Sequence, residues 1–172
     1  MSPRSVLLHV TAATALVVAA CDNPNPGSPV GTFAVTTAVA SDTCGGTVVQ
    51  MEPGNFDVTI SNDQGVVYWF PTNGAASASG SLSASRSVSI TEVVADDVDQ
   101  TPTGGGACTL QRSDTLSFTL GPGAAPTSFT GAYTFTVGAA SGADCADQLS
   151  VHGGGYDALP CTVSFALRGT RQ

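Results

Sequence analysis

The chain contains no lysine, and only five of its 172 residues carry a positive side chain, all of them arginine. Nucleic-acid binding needs a clustered basic footprint, and anionic lipid headgroups attract polybasic segments. Thirteen carboxylates against five arginines exclude both classes. Histidine is almost as scarce, with His9 and His152 alone. Nucleophilic catalysis usually needs a base oriented beside a serine or cysteine. Neither a G-x-S-x-G elbow nor an H-E-x-x-H zinc helix occurs. A non-enzymatic protein without cofactor is expected; a set built from His152 with Asp147 or Asp157 is the arrangement that spacing leaves open. No C-x-x-C pair is present, so a zinc or thioredoxin-like motif has no support. Beyond residue 20 no segment carries a 3.6-residue apolar stripe, and only 141–158 has room for a short helix.

What is present begins at the first residues. Arg4 supplies a positive start, and an apolar run from Val6 to Ala20 follows, broken only by His9 and two threonines. The run ends in Val18-Ala19-Ala20-Cys21. A basic start, a short apolar core and a small-residue cleavage site make up a secretory signal peptide. About fifteen apolar residues fall short of the roughly twenty that cross a bilayer. The last four residues resemble the lipobox of bacterial lipoproteins. That resemblance implies alkylation of the Cys21 thiol with diacylglycerol, cleavage before it and acylation of the new amine. One acyl chain holds a protein marginally, whereas two or more hold it stably. Asp22 resembles the signal that retains enteric lipoproteins at the inner membrane. Placement at the inner membrane facing the periplasm is therefore favoured over the outer membrane. The expected division is a leader over 1–20, a lipidated cysteine with its tether over 21–30, and an extracytoplasmic domain over 31–172.

Loss of Arg4 with such a leader takes the formal charge from −8 to −9. Low charge and abundant Ser, Thr, Gly and Ala suit an exported protein with a hydroxyl-rich surface. Cys44, Cys108, Cys145 and Cys161 remain, and an even count in an exported domain reads as two disulfides.

From Gly31 onward the apolar residues alternate. Phe33-x-Val35-x-Thr37-x-Val39, Phe56-x-Val58-x-Ile60, Val67-Tyr68-Trp69-Phe70 and Val88-x-Ile90 are followed by three cleaner runs. These are Leu116-Ser-Phe118-Thr-Leu120, Tyr133-Thr-Phe135-Thr-Val137 and Val163-Ser-Phe165-Ala-Leu167. Strict alternation means half-buried strands. About seven or eight such strands with Gly/Pro/Asn connections predict an all-β, antiparallel barrel or sandwich, an up-and-down meander first. Thr72–Ser85 and Ala95–Ala107 read as long loops. If 108–120 pairs with 127–138 around Gly121–Pro126, Cys108 lies near Cys145. If the first and last strands close the barrel, Cys44 meets Cys161. The rival connectivity is a Cys145–Cys161 staple.

Three groups of side chains stand out. Asp144, Asp147, His152 and Asp157 surround Gly153-Gly154-Gly155 in a segment that reads mainly as a solvated loop. Asp96-Asp97-x-Asp99, with Glu92 nearby, offers hard oxygen ligands but fails the EF-hand pattern at Pro102 and Cys108. No metal site is therefore expected. Arg112 and Asp114 share parity with Leu110, Leu116 and Phe118, so an unbroken strand aims both inward, where charges must pair. Arg86 shares parity with Val88 and Ile90. An inward arginine in a barrel can hold a carboxylate or phosphate head. Arg112, Asp114 and Arg86 are the candidate ligand-binding residues. The expected function is a membrane-anchored envelope lipoprotein, an interaction or structural module that meets another envelope protein. The alternative is a small-ligand-binding barrel of lipocalin-like architecture.

Overall fold

A computed structural model describes residues 25–45, 54–99 and 107–172. The leader, Cys21 and Asp22 lie outside these residues. Eight strands form one antiparallel sheet: β1 (Ser28–Asp42), β2 (Phe56–Asp63), β3 (Val66–Pro71), β4 (Ala78–Ser81), β5 (Ser87–Asp99), β6 (Cys108–Leu120), β7 (Ser128–Ala139) and β8 (Cys161–Arg171). Their spatial order is β4-β3-β2-β1-β8-β7-β6-β5. Sequential neighbours pair except at β4 and β5, and β1 pairs with β8, so the chain is an up-and-down meander rolled into a nearly closed barrel. The last seam, β4 against β5, is joined by the single bridge Leu82↔Val88.

Alternation dictates which side chains fill this barrel. Phe33, Val35, Val58, Ile60, Val67, Trp69, Val88, Phe118, Leu120, Phe129 and Leu167 are buried together at one end. Phe33, Phe118, Phe129 and Trp69 are linked by ring contacts of 5.1–5.6 Å, the separation aromatic pairs prefer. Only a glycine fits at 169, since the Phe129 ring occupies the space a Cβ would take. A second cluster, with Leu110, Phe135, Val137, Val163 and Phe165, packs at the other end around all four cysteines. The bonds are Cys44–Cys161 and Cys108–Cys145, the nested connectivity rather than the local staple. Ser28–Arg171 thus holds a closed core and both covalent ties, which is what an independently folding unit requires.

The β2–β3 join is a two-residue turn in which Gln64 and Gly65 both have positive φ. That geometry matches the twist of a hairpin, and the Asn62 side chain accepts the Gly65 N–H at 2.9 Å.

Three boundaries differ from the sequence reading. β1 begins at Ser28, inside the segment assigned to the tether, and Pro29 pairs with Ser61 beside a bulge, a position where the ladder tolerates proline. The segment 72–85 is not wholly a loop: Ala78–Ser81 adds to β3, and Gly80 lets the chain press on Ser89, whose carbonyl oxygen lies 2.6 Å from where a Cβ would stand. Finally, β5 runs on to Asp99 through the acidic stretch, because β6 offers it a ladder as far as Cys108. The 141–158 connection contains two one-turn 3-10 helices, Ala146–Gln148 and Ser150–His152.

Candidate functional site

Among the described residues, β1 beyond Val35 pairs only with β8, and past the Leu82–Val88 bridge no ladder joins β5 to β4. Here the barrel is not filled. A cavity of about 370 Å³ lies against Phe56, Trp69, Ile90, Leu116, Tyr133 and Leu167. Ala75, Ala76 and Ala78, with Asn73, line it on the β3–β4 side, and Glu92 faces them from β5. Small side chains on one wall and large ones on the other leave a space that no described residue occupies.

Arg112 and Asp114 both line it. The β6 register is continuous from Thr109 to Leu120, without a bulge at 111–113, so period-2 geometry carries both inward. They close a ring with Tyr133. The Arg112 Nε donates to Asp114 Oδ1 at 2.6 Å, and Nη2 donates to the Tyr133 hydroxyl oxygen at 2.7 Å. The Tyr133 O–H in turn donates to Asp114 Oδ2 at 2.8 Å. The guanidinium also lies over the Phe135 ring, 4.3 Å from its centre, a cation–π arrangement. These contacts use two of the five N–H donors that a guanidinium carries.

The electrostatics follow from that ring. Burial works against the charge on Arg112, but the bond to Asp114 and the charges of Tyr133 and Asp114 outweigh it. The net result holds the guanidinium above its ordinary value. Burial, then the bond to Asp114, pushes the Tyr133 phenol up to about 12, with Arg112 pulling the other way. A raised phenol stays neutral where the unfolded chain would ionise. The ring's stabilisation is thus complete below about pH 10 and disappears as pH rises through about 12. Ultraviolet titration of the folded protein should show one phenol ionising near pH 12 that is missing in Tyr133→Phe. A step missing near pH 10 instead would contradict the ring.

Arg86 does not reach the cavity. It occupies the β4–β5 turn with φ of 65°, and its Nε donates to the Leu120 carbonyl at 3.4 Å. Shared parity with Val88 fails because the turn, not the strand, sets its direction. In the 144–157 segment, Asp144 accepts the Ala146 N–H at 3.2 Å, and Asp157 donates its backbone N–H to Cys44. Asp147 and His152 are exposed. Among the described residues, no three His, Cys, Asp or Glu side chains gather as metal ligands would. Of the acidic group, Glu92 faces the cavity and Asp96 is exposed. The side chains of 97–99 lie outside the described residues.

Tyr133, Glu92 and Trp69 are site residues that the sequence reading did not assign to a cavity. Parity was available for each: Tyr133 alternates with Phe135 and Val137, and Glu92 with Val88 and Ile90. Trp69 is buried at 5% exposure and belongs to the aromatic core as well as to the cavity wall. Comparison with known protein families, characterised proteins and solved structures finds no match to this chain.

Proposed function

We propose that this chain is a lipid-anchored bacterial envelope protein whose barrel binds one small, largely apolar ligand. The observation that carries this reading is the 370 Å³ cavity, apolar on most sides and provided with one polar pole at Arg112, Asp114 and Tyr133. Binding sites for small molecules have this character, a concave apolar space with a few placed polar groups. A filled interior would have supported a pure interaction module, whereas an apolar cavity with convergent polar groups supports binding.

The strand faces support a barrel that lives in water beside a membrane. Apolar residues point inward, while Thr134–Ser164, Thr136–Thr162 and Ser87–Thr119 form hydroxyl pairs on the outer surface. A barrel embedded in lipid would carry the reverse pattern. Attachment is assigned to acyl chains on Cys21, following the lipobox resemblance, and Asp22 favours the inner membrane, facing the periplasm. Residues between Cys21 and Ser28 then act as the tether. Six extended residues span at most about 22 Å.

Native mass spectrometry of the chain gently extracted from its own membranes tests the reading. Acyl mass at Cys21, plus a stoichiometric small mass that is lost in the cavity-filling variant Ala78→Phe, is the expected result. Cys21→Ser should also move the protein out of the membrane fraction. A co-purifying protein with no small mass would return the function to the interaction module.

A further inference from the structure

We propose that the cavity selects a cationic amphiphile, a small apolar molecule carrying one protonated amine. This rests on the ligand-binding reading above and names the class of ligand for that site. The starting point is that Arg112 is already engaged. Asp114 takes its Nε, the Tyr133 hydroxyl takes Nη2 and the Phe135 ring covers one face. A carboxylate or phosphate head would have to compete with Asp114, and displacing it would strand that carboxylate in a half-buried place. Breaking such a pair costs more than a single new bond returns.

Register supplies the second observation. Glu92 on β5 is the direct cross-strand partner of Asp114 on β6, and both side chains face the cavity. Like charges directly opposite in an antiparallel pair are destabilising. One guanidinium against two carboxylates leaves the polar pole with a net charge of −1. No other arginine lines the space, and Glu92 forms no ion pair among the described residues. A protonated amine placed between Glu92 and Asp114 would cancel the imbalance and supply hydrogen bonds to both.

The walls suit the rest of such a molecule. Phe56 and Trp69 meet edge to face at 6.3 Å, and with Tyr133 they offer aromatic surface beside the carboxylates. Cations are attracted to such faces, while Leu116, Ile90 and Leu167 accept an alkyl or aryl body. The volume, near the low end for ligand pockets, restricts that body to a small one.

Trp69 is the only tryptophan and lines the cavity, so its fluorescence reports occupancy. The oxidised chain from Asp22 onward would be titrated with n-octylamine, n-octanol and n-octanoate at neutral pH, with calorimetry in parallel. The amine should bind about tenfold more tightly than the alcohol, with octanoate weakest, as expected for one compensated charge at a partly exposed site. Glu92→Gln, an exposed position whose melting temperature should not fall because a like-charge pair is relieved, is expected to abolish the amine's advantage. If the alcohol or octanoate binds as tightly as the amine, the proposed class is wrong while the binding barrel stands. An amine preference that survives Glu92→Gln also overturns it. If none of the three binds, both this inference and the binding reading fall.

Discussion

Replacing Cys44 and Cys161 together by alanine is expected to destabilise the domain by about 5 kcal/mol, the larger of the two disulfide effects. The bond closes a loop with a sequence separation of 117, against 37 for Cys108–Cys145. The denatured chain gains entropy with the logarithm of loop length, which puts the second bond at about 4 kcal/mol. Position strengthens the first effect. Cys44 lies two residues past the end of β1, which at that point pairs only with β8 among the described residues, and the Thr43 N–H donates to the Thr162 carbonyl at 2.9 Å. Without the bond, the last turn of this pairing has nothing on its other side among the described residues. Domains of this size are stable by only about 5–15 kcal/mol, so the loss would consume much of the total. Urea denaturation of the oxidised protein and the two double variants measures it. A smaller cost for Cys44–Cys161 than for Cys108–Cys145 would contradict the chain-entropy argument.

The fold was legible because one physical signal repeats along the chain. Phe33, Val58, Phe118, Phe135 and Phe165 each sit in a two-residue rhythm, and each is buried at 2% exposure or less. A hairpin at 121–126 brings Cys108 near Cys145, since a short turn fixes register, but the spacing left a Cys145–Cys161 staple open. What escaped was structure without such a signal. Ala78–Ser81 contains no branched or aromatic residue, so it has weak intrinsic preference for a strand. Its pairing depends on β3 beside it and on the close approach that Gly80 allows. The end of β5 was hidden in the same way, because Asp96 and its neighbours are poor strand formers and the partner strand decides. At the site, parity carried Arg112 and Asp114 inward correctly. It could not reveal Tyr133 as their third member, because a ring across two strands depends on register between them and not on either alone.

Asp114→Ala is expected to cost about 2 kcal/mol, and the cost should shrink when Arg112→Met is made in the same chain. Removing one partner of a buried ion pair typically costs 3–5 kcal/mol, because a charge is left without compensation. Here the side chains are 31% and 28% exposed, so solvent screens part of that penalty and the lower figure applies. Asp114→Ala also takes away the acceptor of the Tyr133 hydroxyl. Arg112→Met removes the charge, so the double variant has no stranded ion. Chemical denaturation of the four proteins gives the coupling, which should reach about 1–2 kcal/mol. Additivity within about 0.5 kcal/mol would mean that the two groups do not depend on each other. The result bears directly on the cavity. Strong coupling means that Asp114 is committed to Arg112, and Glu92 alone carries the uncompensated charge that a ligand amine would meet. Additivity would leave the guanidinium available for an anionic head, and the preference of the site would turn towards carboxylates.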